Sequence, residues 1–369
     1  MKAELALLEH LKQIRPANPV LAEIASARED ELAKPAKSLG MLETLAIKLS
    51  AIQNTLRPHH EHKLMVVCAG DHGVVDEGVS PWPKSVTYQQ VLNFSHGGGA
   101  ITTISRAADV KVLLLDVGVD YEFPPFEDEE SLSDPLKPIR LSRKVAFGTQ
   151  NLAKGPAMSR EEAVLSILAG LETVLSVPRV DLVGAGEMGI GNTTPSSCIA
   201  AVFTGMSPDE ATGIGSGLNE AERQNKVKVV ARALEINKPD PNDPIDVLAK
   251  VGGLEIGAMA GVYLGGAIRR AGVVMDGFIG AAAALIAEKL SPGLSEYMIA
   301  GHKSKEKAHQ RVLDYLGLTP LLDLGMWLGE GSGAAVAMMI LKAACCHFNN
   351  MATFSESAVA NRHESVPLK

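Results

Sequence analysis

Residues 64–70 read LMVVCAG, a short apolar run that contains two valines and ends in glycine. Residues 110–118 read VKVLLLDVG, a second run of the same kind, and the sequence between the two runs has helical spacing. Apolar runs of this length that end in glycine are typical of strands buried on both faces of a sheet. Two such runs separated by helical sequence predict a β-α-β unit and therefore a parallel sheet.

Three later runs extend the same pattern. They are residues 180–186 (VDLVGAG), 271–278 (AGVVMDGF) and 296–301 (EYMIAG), and each runs into glycine or aspartate. Ligands of parallel α/β sheets bind beyond the carboxyl ends of the strands. The residues that immediately follow these five runs are therefore the first candidates for function.

Helical patterns flank the predicted sheet along the chain. Apolar residues recur at helical spacing over residues 5–55, interrupted by prolines, and again from Ser304 onward. We therefore predict an α/β fold, a Rossmann-like parallel sheet with helices on both faces, together with a small helical domain built from both termini. The large domain would comprise residues 63–303, and the small domain residues 1–62 and 304–369.

The composition excludes several classes of protein. The 369 residues are 46% apolar and 21% charged, which is typical of a folded globular chain. The net charge is −8 and no dense basic run is present, so neither nucleic acid nor a membrane surface is expected as a partner. No run reads as a membrane-spanning helix, and the first residues lack the pattern of a signal peptide. We expect a cytoplasmic protein that acts on a small molecule.

A glycine-rich segment includes the end of the third run. Residues 184–194 read GAGEMGIGNTT, which matches GxGxxG and nearly matches the P-loop. Asn192 replaces the P-loop lysine, and no acidic residue ends a strand about twenty positions later, so neither a nucleoside triphosphate nor NAD is favoured. Backbone N–H groups of this loop, with Asn192, Thr193 and Thr194, suit a single phosphate or carboxylate. The alternative is a turn whose glycines serve only packing.

Two charged side chains lie close to other glycine-rich segments. Lys226 follows GIGSG (residues 213–217) on a predicted helix, where it either neutralises a phosphate or is simply solvated. Glu330 stands between two glycines, ahead of an alanine-rich helix. Desolvation raises the pKa of a carboxyl group, which makes Glu330 a candidate general base, with a surface glutamate as the alternative.

A cluster of acidic residues and one histidine follows the first run. It contains Asp71, His72, Asp76 and Glu77, within GDHGVVDEG. Zinc sites are usually built with more than one histidine or cysteine, so the cluster does not favour a metal site. No metal and no other cofactor is predicted.

The chain resembles the nicotinate-nucleotide–dimethylbenzimidazole phosphoribosyltransferase family in motifs that span nearly its whole length. In chain order they are AKSLGMLETLA, AGDHGVVDEGVSPWPKSVTYQQVLNFSHGGGAI, GEMGIGNTT, GLEIGAMAG, DGFI, HKSKE and LGLTPLLDLGMWLGEGSGAA. The resemblance implies transfer of phosphoribose from nicotinate mononucleotide to the aromatic base that becomes the lower ligand of cobalamin. It also implies inversion of the β-linkage to an α-linkage, a parallel-sheet domain with a small helical domain from both termini, and a homodimer.

The same resemblance implies the roles of individual residues. Glu330 would take the proton from the incoming base. The residues expected at the ribose and phosphate of the nucleotide are Glu187, Gly189, Thr193, Lys226 and Ser304. Those expected at the aromatic acceptor are Ser80 and Gln89.

Three departures from the family pattern leave the acceptor open. They are Trp327 in place of an arginine, Gln90 in place of a methionine, and Gly99 with Thr102 in place of an alanine and an asparagine. Since Trp327 lies three residues before Glu330, we expect it to line the acceptor pocket. The alternative acceptor is a phenol, used by the related phenol/p-cresol phosphoribosyltransferase, in which case the chain would form a heterodimer with a paralogue.

Two further alternatives come from other classes of protein. A non-catalytic paralogue would have no chemical need for Glu330, Glu187 and Lys226 together. An NAD-dependent oxidoreductase would need an acidic residue that binds the ribose hydroxyl groups, and the sequence lacks such a residue at the expected spacing. Both are therefore less favoured than a phosphoribosyltransferase.

Overall fold

Six parallel strands form the central sheet of the computed structural model, which describes residues 2–124 and 136–360. They are β1 (Lys63–Gly70), β2 (Lys111–Gly118), β3 (Ile139–Ser142), β4 (Leu182–Met188), β5 (Gly272–Met275) and β6 (Met298–Ala300). Their spatial order is β3-β2-β1-β4-β5-β6. The chain reverses direction across the sheet between β1 and β4, and this switch point opens a crevice at the carboxyl ends of the strands.

Helices surround this sheet. In the described part of the chain they are α1 (Lys2–Leu11), α2 (Pro19–Glu31), α3 (Met41–Gln53), α4 (Val86–Ser95), α5 (Ala100–Ala107), α6 (Arg160–Ser176), α7 (Thr193–Thr204), α8 (Pro208–Ala211), α9 (Glu220–Asn237), α10 (Pro244–Val251), α11 (Leu254–Ile268), α12 (Phe278–Leu290), α13 (His309–Leu316), α14 (Ser332–Asn350) and α15 (Phe354–Ser357). Short 3-10 helices cover Gly73–Glu77 and Leu294–Tyr297. Among these elements, no helix has the length and apolarity needed to cross a membrane.

Alternate residues of β1 belong to two different apolar layers. Leu64, Val66 and Cys68 pack in the layer that contains α6, α11 and α12, whereas Met65 and Val67 pack in the layer that contains α3, α5 and α14. Side chains of a strand point alternately to the two faces of its sheet, so a strand covered on both faces needs apolar residues at every position. The predicted parallel α/β fold is confirmed.

The predicted strands differ most from the observed ones at β3 and at the end of β5. Strand β3 was not predicted, because its sequence IRLS is short and only partly buried and lacks an apolar run. The predicted strand over residues 271–278 ends early, since β5 stops at Met275 and α12 begins at Phe278. Asp276 and Gly277 therefore lie in the turn at the carboxyl end of the sheet.

Helices from the two ends of the chain pack against each other. Ala25 of α2, Ala46 of α3 and Phe348 of α14 form one small apolar cluster, and Ala33 donates a backbone hydrogen bond of 2.9 Å to Ala352. Leu7 of α1 belongs instead to the main core of the sheet. These contacts support a small domain of residues 1–62 and 304–369 beside a large one of residues 63–303, and we retain this division as a proposal.

Candidate active site

A cavity of about 360 Å³ lies at the switch point, beyond the carboxyl ends of β1, β4, β5 and β6. Segments that follow these strands line it, together with the start of α7 and the segment before α14. Seven of the residues predicted from the sequence are among its lining: Ser80, Glu187, Gly189, Thr193, Ser304, Trp327 and Glu330. The segments therefore converge on one pocket of a size typical of small-molecule sites.

Glu330 lies on a short loop with unusual backbone geometry. The φ angles of Gly329, Glu330 and Gly331 are +90°, +63° and +93°. Glycine adopts such angles without a steric penalty, but a residue with a Cβ atom rarely does, and strained residues of this kind cluster at functional sites. The Glu330 side chain is buried. The surface glutamate considered from the sequence is therefore wrong.

Three contacts, two with β4 and one with α5, hold this loop in place. A Cβ atom at Gly186 of β4 would lie 2.0 Å from the carbonyl oxygen of Glu330, so the loop rests directly on the strand backbone. The Glu330 N–H donates to Glu187 Oε1 at 3.2 Å. The Ile101 N–H, in the first turn of α5, donates to Glu330 Oε2 at 3.2 Å. Oε1 of Glu330 accepts no hydrogen bond from the described residues, which leaves it available to a ligand.

The carboxyl groups of the pocket have perturbed acidities. Burial raises the pKa of Glu330; the Ile101 N–H opposes this rise and the negative charge of Asp276 adds to it. Burial raises the pKa of Glu187 to about 8, although hydrogen bonds from the Glu330 N–H and from Asn192 oppose the rise. A carboxylate whose pKa is raised towards neutral pH is a stronger base than an exposed one.

Lys226 lies beside the pocket and is fully buried. Its Nζ donates to Thr193 Oγ1 at 2.5 Å, and Thr193 begins α7. Burial lowers the pKa of Lys226 to about 8, an effect that the nearby Glu306 opposes. The solvated lysine considered from the sequence is therefore wrong, and an ammonium group next to a helix N-terminus makes an electropositive corner suited to an anion.

Aromatic and amide side chains also line the pocket. Ser80, Trp82 and Gln90 line it, whereas Gln89 is exposed and is not among the lining residues. Neighbouring residues of a helix point in directions about 100° apart, so only one of these two glutamines of α4 faces the pocket. Trp327 lines the pocket as well, and the centroid of its indole ring lies 4.6 Å from Lys305 Nζ.

Asp276 and His302 are among the pocket residues that were not predicted from the sequence. Asp276 and His302 line the cavity, and His302 Nε2 lies 3.4 Å from Asp276 Oδ1. Both positions fit the expectation that ligand-binding residues come just after the carboxyl ends of the strands, because Asp276 follows β5 and His302 follows β6. Asp276 was missed because the apolar run was read as continuing through it.

Two residues of the acidic cluster after β1 contact different parts of the fold. His72 Nε2 lies 2.7 Å from Glu255 Oε1, and both side chains are fully buried, so this pair fastens the start of α11 to the end of β1. Glu77 instead contacts Asn151 and Arg232. A different group, Glu61, His62 and Asp181, brings one ligand atom from each side chain within 4.8 Å of the others. It lies where β1 and β4 begin, at the opposite end of the sheet from the pocket.

Comparisons with known proteins agree over nearly the whole chain. A family model described as phosphoribosyltransferase matches residues 14–359. The nicotinate-nucleotide–dimethylbenzimidazole phosphoribosyltransferase of Geotalea uraniireducens (strain Rf4) is 47% identical over 356 residues, covering 96% of this chain and 98% of the relative. The enzyme of that name from Desulforamulus reducens (strain MI-1) is 48% identical over 357 residues, covering 96% and 99%.

A solved structure gives the same result. CobT from Thermus thermophilus superposes with a TM-score of 0.86 at 44% sequence identity, covering 93% of this chain and 99% of that chain. A second crystal structure from the same organism, named as nicotinate-nucleotide–dimethylbenzimidazole phosphoribosyltransferase, superposes with a TM-score of 0.85 at 44% identity, again covering 93% and 99%. The family match includes the sheet, the pocket and the loop that carries Glu330.

Proposed function

The chain belongs to the nicotinate-nucleotide–dimethylbenzimidazole phosphoribosyltransferase family, and from that premise we propose how its pocket carries out the reaction. The enzyme transfers phosphoribose from nicotinate mononucleotide to a lower-ligand base such as 5,6-dimethylbenzimidazole in the assembly of the cobalamin nucleotide loop. The products are nicotinate and the α-linked nucleotide, α-ribazole phosphate.

The observation that carries the mechanism is the buried Glu330 carboxylate, held on its strained loop at the pocket wall. One nitrogen of the base attacks C1′ of the ribose, the bond from C1′ to the nicotinate nitrogen breaks, and that electron pair leaves with nicotinate. Glu330 takes the proton from the other nitrogen of the base, so no charge is left on the new nucleotide ring. Attack on the face opposite the leaving group converts the β-linkage to an α-linkage.

The nucleotide occupies the side of the pocket formed by the ends of β4 and β6. Lys226, Thr193 and Ser304 hold its phosphate, because one ammonium group, two hydroxyl groups and the N-terminus of α7 are found at that corner. Glu187 and Gly189 contact the ribose. A phosphate fixed in this way holds C1′ at one distance from the acceptor, which removes much of the entropic cost of the reaction.

Lys226→Ala is expected to weaken binding of nicotinate mononucleotide about ten- to a hundredfold, because one charge-assisted contact is worth roughly 1.5 to 3 kcal/mol. Titration calorimetry measures the dissociation constant. Lys228→Ala, an exposed lysine two residues later on α9, is the matched control and should bind normally. Equal affinities of the two variants would remove Lys226 from the phosphate site.

For the acceptor we propose dimethylbenzimidazole rather than a phenol. The relatives that match at 45% to 48% identity carry the dimethylbenzimidazole name, and Trp82 and Trp327 offer indole faces to a flat bicyclic ring. Ser80 contacts the acceptor in this proposal. The role of Gln89 at the acceptor stays a prediction, because Gln90 is the glutamine that lines the pocket.

The test of the acceptor is to supply the purified chain with nicotinate mononucleotide and dimethylbenzimidazole, adenine or phenol in turn, and to quantify each ribosyl product. A phenol product in excess of α-ribazole phosphate would overturn this choice.

Trp327→Arg, which restores the arginine of the family pattern, is expected to change the ratio of the rates with dimethylbenzimidazole and phenol about two- to tenfold. The indole face contributes roughly 0.5 to 1.5 kcal/mol to an aromatic contact, and an arginine replaces that face by a charge and a fork of N–H donors. Competition assays with both acceptors in one mixture measure the ratio directly. Tyr315→Arg replaces a half-exposed aromatic residue of α13 that does not line the pocket, so its ratio should stay native. An unchanged ratio for Trp327→Arg would mean that Trp327 does not tune acceptor choice.

The homodimer and the cytoplasmic location predicted from the sequence are retained as proposals. Exposed apolar side chains on α1 and α2, among them Leu5, Leu8, Val20 and Ile24, are available for a second copy of the chain to cover. Sedimentation velocity of the purified protein tests the homodimer. A heterodimer with a paralogue is not favoured, because it belongs to the phenol alternative.

A further inference from the structure

Asp276 lies directly after β5, and its buried carboxylate is surrounded by backbone N–H groups of another element. Oδ1 accepts from Gly333 at 2.7 Å and from Ala334 at 3.1 Å, and Oδ2 accepts from Gly331 at 3.1 Å. All three donors belong to the start of α14 or to the residue before it. The carboxylate thus binds the N-terminus of a helix that is distant from it in sequence.

Helix α14 has no side-chain cap of its own, because the residue at its N-cap position is Gly331. An acidic group at a helix N-terminus satisfies free N–H groups and interacts favourably with the helix dipole. Asp276 supplies this cap from the sheet. Because Gly331 directly follows Glu330, the cap also fixes one end of the strained loop, whose preceding N–H is held by Glu187.

We propose that Asp276 is a positioning residue for the reaction, which holds the Glu330 carboxylate in place through the N-terminus of α14. This inference rests on the proposed role of Glu330 as the base. The loop is hydrogen-bonded on one side to Glu187 of β4 and on the other to Asp276 after β5. It therefore has little freedom to relax from its left-handed backbone conformation. A displacement of about 1 Å at a reacting group can cost about a hundredfold in rate.

Asp276 also acts on Glu330 through its charge. The groups that face Glu330 are the carboxyl groups of Glu187 and Asp276 and the N-terminus of α5 at Ile101. The Nε2 atom of His302, after β6, lies 3.4 Å from Oδ1 of Asp276. The negative charge of Asp276 raises the pKa of Glu330, so its removal should lower that pKa.

Asp276→Asn keeps the volume of the side chain but replaces one accepting oxygen by an NH2 group and removes the charge. We expect kcat to fall about ten- to a hundredfold while KM for nicotinate mononucleotide changes less than about twofold. The acidic limb of the kcat profile should move to lower pH. Asp276→Glu keeps the charge but moves the carboxylate oxygens. We therefore expect kcat to fall while the acidic limb of its pH profile stays at the native pH.

A double-mutant cycle separates positioning from general stability. If Asp276 acts through Glu330, the substitution Asp276→Asn should cause almost no further loss of kcat in a Glu330→Gln enzyme. Asp243→Asn is the control, because the Asp243 carboxylate also accepts backbone N–H groups at a helix N-terminus, that of its own helix α10, but lies outside the pocket. It should leave kcat and the pH profile unchanged.

Each outcome decides a separate question. The positioning role would be overturned if Asp276→Asn kept a native kcat and a native pH profile. It would also be overturned if the losses of kcat in the two single variants added up in the double variant. If Asp276→Asn does not fold, native kcat in Asp276→Glu would overturn it equally. Near-native turnover of Glu330→Gln alone would instead contradict the proposed base, so the two failures are distinguishable.

Discussion

Glu330→Gln is expected to lower turnover with dimethylbenzimidazole about 10²- to 10⁴-fold, the usual contribution of a positioned general base. Glutamine keeps the shape of the side chain and can still accept the N–H of Ile101, but it cannot take a proton. Binding of nicotinate mononucleotide should stay nearly native. Steady-state kinetics and titration calorimetry on the same preparation measure the two quantities.

The native enzyme supplies an independent check of the same base. Burial raises the pKa of Glu330 above its ordinary value, so the carboxylate becomes protonated as the pH falls through that raised pKa. The rate should therefore decline on the acidic side at a higher pH than an exposed glutamate would give. In Glu330→Gln this acidic limb of the pH–rate profile should be absent. Glu235→Gln, an exposed glutamate of α9, is the control and should keep both rate and profile. If Glu330→Gln turned over at a near-native rate, Glu187 would be the next base to test.

Gly186→Ala is expected to lower kcat about a hundredfold, although the change adds only one methyl group. Its Cβ would lie 2.0 Å from the Glu330 carbonyl oxygen and 2.7 Å from the Gly331 nitrogen, so the loop must move away from β4. Displacement of the proposed base by about 1 Å costs about that factor, and overpacking of this kind destabilises a protein by about 1 to 3 kcal/mol. Turnover and urea unfolding together measure both effects.

Gly155→Ala provides the comparison for Gly186→Ala. A Cβ atom at Gly155 meets no atom within 4 Å, so the same chemical change there should leave kcat and the free energy of unfolding almost native. A Gly186→Ala enzyme as active as Gly155→Ala would show that the position of the Glu330 loop is not set by its contact with β4.

The sheet was largely predictable because burial on both faces leaves a strong signal in each strand. The runs around β1, β2 and β4 contain almost only apolar residues, since neither face can reach water. Edge strand β3 lacks that signal, because its residues are only partly buried. The end of β5 was misplaced for a related reason, since Phe278 is as buried in α12 as a strand residue would be.

The candidate site was predictable only in part, because several of its properties arise from distant contacts. Glu330 and Lys226 were found by their glycine-rich surroundings, but nothing in the local sequence distinguishes their buried state from a solvated one. Their burial depends on packing between elements far apart in the chain, as with Gly186 and Glu330. The choice between Gln89 and Gln90 depends on the rotation of α4, which the weak amphipathic pattern of that helix does not specify.

The tryptophan fluorescence of the protein comes from the pocket. The chain contains two tryptophans, Trp82 and Trp327, and both line this cavity, each about half exposed at 51%. Indole emission therefore originates at this cavity alone, with Lys305 above the ring of Trp327. A flat base stacked on either ring quenches or shifts that emission, so the native enzyme reports occupancy of its own pocket without any attached dye.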